Sequence, residues 1–319
     1  MKTEGINMKK ILLLSTMIVG TAGMAAADLR LSGGARFGVV YTGSSTGVDS
    51  TTEVHNRFTV NIDGTAEADN GLSFFARVRV RGGNTGDGAT GGSSVSAPRV
   101  GVTYSGFTVA VGNINGALES TPGLYDGAVG LTGLGWNNLP TNAAAGGKFM
   151  WDSFSSGGGG ANGVEAIYSG GAFSGHLSFS GNNTSGTTVE RIAANLAYSF
   201  GDWTAALGYQ DGESDAEDFT LLTVAGNFGD FGVGAAYSDN DGENSATRIN
   251  GSYSFGGGTT VTAFATFTDG SAVLSTGASM SDAYGIGFTH SLGGAVLAGG
   301  VAVGFDDVTV ADFGVRFNF

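Results

Sequence analysis

Arginine recurs at every second position in residues 73–81, as Arg77, Arg79 and Arg81, and Arg36 and Arg57 hold matching positions in the two extended runs before it. A spacing of two places side chains on one face of a strand, so these five guanidiniums form one charged wall. Glu119, Asp126 and Asp152 fall in a later Gly-rich stretch and are the acids expected to face it. Fixed cations on one side of a water-filled gap and fixed carboxylates on the other create a transverse field at its narrowest section. Such groups steer charge and transfer no proton, because a guanidinium stays protonated. The same residues could also simply brace the stretch through ion pairs, and the two roles are compatible.

Other chemistry finds little support. His55, His176 and His290 are far apart, without Cys or paired carboxylates at ligand spacing, and no nucleophile accompanies them, so catalysis is not expected. Asp239, Asp241 and Glu243 resemble a fragment of a calcium loop. They lack the twelve-residue spacing with a closing Glu, so a solvated acidic loop is expected, with weak calcium binding as the alternative. Residues 157–160 are four glycines, but no Lys-Ser/Thr follows to make a phosphate loop.

The elements that must carry these charges are strands. Leu72, Phe74, Ala76, Val78 and Val80 alternate with Ser73, Phe75, Arg77, Arg79 and Arg81; Ile192, Ala194, Leu196, Tyr198 and Phe200 alternate with Arg191, Ala193, Asn195, Ala197 and Ser199. The closing run sets Ala311, Phe313, Val315, Phe317 and Phe319 against Asp312, Gly314, Arg316 and Asn318. Runs of about ten residues are twice the usual soluble strand and match the 9–11 that a tilted strand needs to cross a bilayer. Aromatics such as Tyr41, Tyr104, Tyr168, Phe200 and Phe255 sit at the run ends, where interfacial girdles belong. A soluble sandwich or solenoid would share the alternation but explains neither feature.

Connections can be counted. Tight, mostly Gly-Asp or Gly-Gly links near residues 64–71, 105–106, 169–172, 201–202, 229–230, 256–258 and 293–294 alternate with eight longer polar loops. That predicts an all-β, 16-stranded antiparallel transmembrane β-barrel, a size that leaves an aqueous interior. The third loop, residues 113–160, is far longer than a hairpin needs. It carries Leu118, Leu124, Tyr125, Leu131, Leu134, Trp136, Leu139, Phe149 and Trp151, and is expected to fold into the lumen against the wall.

Composition agrees. The 319 residues include 59 Gly, 3 Pro and no Cys, with 41% apolar and only 13% charged. Disorder, collagen and disulfide scaffolds are excluded. A net charge of -14 argues against a nucleic-acid partner. Lys9 and Lys10, the apolar stretch from Ile11 to Met24 and the run of Ala25, Ala26 and Ala27 form a secretory signal. Residues 1–27 are therefore expected to be cleaved, with Met1 or Met8 as the start, leaving residues 28–319 as one barrel in the bacterial outer membrane.

The stretches GTAEADNGLSFFARVRVR (64–81), VGNINGALESTPGLYDGAVG (111–130), DAYGIGF (282–288) and TVADFGVRFNF (309–319) resemble the general diffusion porins of alphaproteobacteria, of the Rhodobacter type. The resemblance covers essentially all of residues 28–319. It implies a homotrimer embedded among outer-membrane lipid and lipopolysaccharide, and recognition of Phe319 by the barrel-assembly machinery. By position, Glu119 and Asp126 match the acidic loop residues, and Arg57, Arg77 and Arg79 the basic cluster. The expected function is passive diffusion of small hydrophilic solutes and ions through a water-filled channel. A substrate-selective channel and, less readily, a Gly-rich adhesin are the alternatives.

Overall fold

The computed structural model describes residues 27–45, 47–84, 92–140, 152–156, 158–181, 190–213, 218–240, 244–270 and 280–319. Seventeen strand segments follow one another: β1 (Ala27–Thr42), β2 (Thr51–Glu67), β3 (Ser73–Gly83), β4 (Gly92–Val95), β5 (Arg99–Tyr104), β6 (Phe107–Gly112), β7 (Gly163–Gly170), β8 (Phe173–Ser180), β9 (Arg191–Phe200), β10 (Trp203–Asp211), β11 (Phe219–Phe228), β12 (Phe231–Asn240), β13 (Asn244–Phe255), β14 (Thr259–Gly270), β15 (Ala283–Ser291), β16 (Val296–Val303) and β17 (Thr309–Asn318). Each pairs antiparallel with its neighbours, except that β4 and β5 both pair with β3, and β17 pairs back onto β1, so the sheet closes. Closure is what lets strands sit in hydrocarbon, where an unpaired backbone group has no partner.

Segments β4 and β5 are one strand interrupted by a bulge, which makes the barrel sixteen-stranded. Val95 lies opposite Val80 and Arg99 opposite Arg77, so three residues on one side face two on the other. Pro98 cannot donate to the ladder. The Ser96 backbone N–H donates to the Arg79 carbonyl at 2.8 Å, and the Ser96 hydroxyl accepts from the Arg79 N–H at 2.9 Å. The bulge falls beside the arginines of β3, as bulges that re-aim side chains do.

Two boundaries differ from the sequence reading. Gly64 does not open a turn: β2 runs on to Glu67, Gly64 pairs with Leu29 and Ala76, and the turn is at residues 68–72. β1 and β2 also hold all sixteen rungs from Ala27–Ala66 to Thr42–Thr51, longer than a bilayer crossing requires, because the two strands support each other along their length. Elsewhere the short turns fall where Gly predicts. Ser105 and Gly106 between β5 and β6 both have positive φ, 47° and 85°, the conformation that matches the twist of a tight hairpin.

The two faces of the sheet are sharply unlike. Leu177, Leu196, Leu207, Leu222, Ile249, Ile286 and Phe313 belong to an exposed apolar belt. Its rim carries paired aromatics in tilted contact, including Phe107 with Tyr168, Phe173 with Tyr198 and Phe231 with Tyr253. An apolar surface of that extent suits lipid and not water. The alternate residues, among them His176, Asn195, Thr223, Ser238, Arg248 and Asp312, are buried and polar.

Candidate functional site

The buried polar face is where the third loop lies. Residue 113 to residue 140 touches one strand after another around the sheet. The Ala117 N–H donates to Ser178 on β8 at 2.8 Å, and Asn195 on β9 donates to the Ala117 carbonyl at 2.6 Å. Thr223 on β11 donates to the Pro122 carbonyl at 2.6 Å. Arg248 on β13 donates to the carbonyls of Gly123 and Leu124, each at 2.7 Å. Thr266 on β14 donates to the Asn137 carbonyl at 3.2 Å. Asp312 on β17 accepts from the N–H groups of Leu131 and Thr132 and from the Thr132 hydroxyl, at 2.6–2.8 Å. Apolar anchors fill the gaps: Leu118, Leu124 and Leu139 are buried against Ala193, Phe219, Leu221 and Ala236. Val129 and Leu134 are buried with Phe264, Ala283, Ala302 and Phe305.

Glycine in the wall makes room for this loop. A Cβ at Gly287 would meet the Gly130 nitrogen at 2.9 Å and the Val129 Cβ at 2.9 Å; one at Gly300 would meet the Gly130 nitrogen at 3.0 Å. Loop and wall are so close there that only a bare backbone fits.

The acids divide into two kinds. Glu119 and Asp152 are buried, 4% and 3% exposed. Glu119 accepts from the Asp152 N–H, and Ser180 on β8 donates to the Asp152 carboxylate. Burial, and after it the neighbouring Asp152 carboxylate, push the Glu119 carboxyl well above the usual carboxylate range, against the opposing pull of Arg191. These two acids therefore tie the loop's beginning to its end and to the wall, and present no open carboxylate. Asp126 is different. It is half-buried and, with Tyr125, Asn227, Asn250, Ser252 and Thr262, lines an open cavity of about 410 Å³. Burial also raises the Tyr125 phenol, which stays neutral.

The bases likewise divide. Arg36, Arg57, Arg79 and Arg81 line a second open cavity of about 240 Å³ together with Arg316, which the sequence reading did not single out. Arg77 is not among them. It pairs with Asp63, directly across on β2, at 2.5 Å. Asp63 could have been found by the parity rule, since it sits six residues from Arg57 on the same face. Arg99 likewise pairs with Glu165 at 2.5 Å and stacks over Phe75. Glu165 also bonds His176 at 2.9 Å and accepts from the Asn115 N–H at 3.1 Å, so this buried cluster anchors the loop's first residues.

Arg79 touches the returning limb of the loop, donating to the Phe154 carbonyl at 3.1 Å with its guanidinium over the Phe154 ring. Arg36 donates to the Leu131 carbonyl at 3.3 Å and to His55 at 2.9 Å. Phe149, Trp151, Asp241 and Glu243 lie outside the described residues, so the calcium expectation has only Asp239 within view. No group of three His, Asp or Glu that could hold a metal occurs among the described residues.

A closed barrel with an apolar outer belt and charged side chains lining open cavities on its other face defines a transmembrane channel protein. Comparison with known proteins gives the family. The model of the Gram-negative porin family matches residues 15–309. The porins of Fuscovulum blasticum and Rhodobacter capsulatus are each 30% identical to this chain, with 92% of this chain and 100% of theirs aligned. A triple mutant of the Rhodopseudomonas blastica porin superposes with a TM-score of 0.75 at 28% identity, and a variant with five substitutions with 0.76 at 27%; both alignments cover 92% of this chain and all of theirs. The chain belongs to the Gram-negative porin family and is an outer-membrane channel.

Proposed function

We propose that this porin passes small hydrophilic solutes and ions by passive diffusion, and that its third loop lies inside the barrel and sets the size limit. The carrying observation is the path of that loop. It bonds to β8, β9, β11, β13 and β17 and then turns back to β14, strands that one segment can reach together only from the enclosed side. Its described residues meet the arginine arc at Leu131, beside Arg36, and at Phe154, beside Arg79. The passage is the part left uncovered, bounded by the arginines of β1–β3 and β17, with Asp126 as the acid of the loop open to water.

Cleavage of residues 1–27 and assembly as a homotrimer complete the reading. The first rests on the basic, apolar and small-residue order of that segment, the second on the family resemblance. Purified protein in a planar bilayer tests the function: large ohmic openings arriving in groups of three are expected, and a folded barrel that carries no current contradicts it. Current that saturates with one sugar would favour a substrate-selective channel instead.

A further inference from the structure

The arginine cavity is more than a charged edge. Five guanidiniums converge on it and its lining includes no carboxylate; Thr59 and Asn318 supply the neutral polar groups. Arg36 and Arg79 are partly engaged by His55, Asn61 and the carbonyls of Leu131 and Phe154. Arg57, Arg81 and Arg316 have no acceptor among the described residues, and the Arg81 Nε is buried without one.

The sheet register sharpens this. Arg36 lies directly opposite Arg57 on β2 and directly opposite Arg316 on β17, so three like charges occupy adjoining positions. Like charges across a ladder destabilise it. Asp63 pairs directly with Arg77 elsewhere on this wall, whereas the carboxylate nearest Arg36, that of Asp312, lies outside the cavity lining and is taken up by the Leu131 and Thr132 N–H groups. An arrangement that costs stability and leaves donors unused fits an anion that arrives from solution.

We infer that this cavity binds a phosphate group, free or at the end of a phosphomonoester. Guanidinium forks bind oxyanions through paired N–H donors, and a tetrahedral dianion offers acceptors to several forks at once, whereas a monocarboxylate occupies one fork and chloride has no directional acceptors. The volume of about 240 Å³ corresponds to about eight waters at roughly 30 Å³ each, room for the group and part of its hydration. The inference takes its place along the path from the channel reading above, but binding itself can be measured without conduction.

The test is calorimetric titration of inorganic phosphate into the refolded barrel in detergent, in chloride buffer at constant ionic strength, with folding checked by circular dichroism. One saturable site per chain is expected. The double substitution Arg57→Gln with Arg81→Gln should weaken it at least tenfold; Arg316→Gln alone, a milder variant should the double one not refold, several-fold. Arg77→Gln, outside the cavity, should leave the affinity within twofold. Displacement by glucose 6-phosphate but not glucose supports a phosphomonoester ligand, and displacement by neither supports inorganic phosphate. A folded barrel with no saturable phosphate binding, or one whose affinity ignores both sets of arginine substitutions, overturns the inference. Conductance without phosphate binding leaves the channel reading standing, and phosphate binding without conductance removes that reading alone.

Discussion

Arg248 and Arg57 are the same residue type on the same face of the same sheet, yet they do opposite work. Arg248 is fully buried beneath the loop and donates to the Gly123 and Leu124 carbonyls. Arg57 bonds to none of the described loop residues and opens onto a solvent cavity that Leu131 also lines. One arc of the wall is a seat, rich in small and hydroxyl-bearing residues that satisfy the loop's backbone. The other is a bare row of cations. The difference teaches that this wall is divided by what covers it: guanidinium donors are satisfied by loop carbonyls on one arc and face an open cavity on the other.

Breaking the seat should have the largest effect. Arg248→Met removes the donors to two buried carbonyls, each costing about 1–3 kcal/mol when left unpaired. Refolding titrations in urea should show a loss of about 2–5 kcal/mol, with noisier and larger single-channel openings as the loop loosens. Moving the charge one residue, Ile249→Arg, places it on the lipid-facing belt, where an arginine near the midplane costs about 2–4 kcal/mol. Lower folding yield into vesicles would register it, and normal insertion would show that the two faces are exchanged. Gly287→Ala forces a methyl group against Gly130 and Val129. Overpacking of that kind costs about 1–3 kcal/mol, and thermal melting should fall accordingly.

The smallest effect concerns pH. The Glu119 carboxyl titrates well above its usual range when folded, so the folded state binds a proton that the unfolded chain releases. Its stabilising contribution is complete below the ordinary carboxylate pKa and is lost as pH rises toward the raised folded value. Glu119→Gln should flatten that slope in urea titrations run at several pH values, leaving stability at low pH nearly unchanged.

Much of this division was readable in the residues, and the part that was not has a physical reason. Period-two alternation separates Arg77, Arg79 and Arg81 from Val78 and Val80 because a strand has only two faces. The strand count followed from Gly-marked turns, such as residues 201–202, where Gly201 has a φ of 62°. Parity alone does not say what lies above a given inward residue. Glu119 and Asp126 differ by seven positions in one loop, and only the packing against Asp152 and Arg191 or against an open cavity separates them. Arg316 stood in an alternating run at the far end of the chain, and it joins Arg36 only because the barrel closes. Contacts that depend on closure leave no local trace.

The bare arc is tested most directly by the reversal potential across a KCl gradient, for the native barrel and for the variant carrying Arg57→Gln with Arg81→Gln. If these guanidiniums border the passage, removing two of them shifts the potential clearly toward cation preference while conductance persists. An unchanged reversal potential in a conducting barrel would place the passage elsewhere.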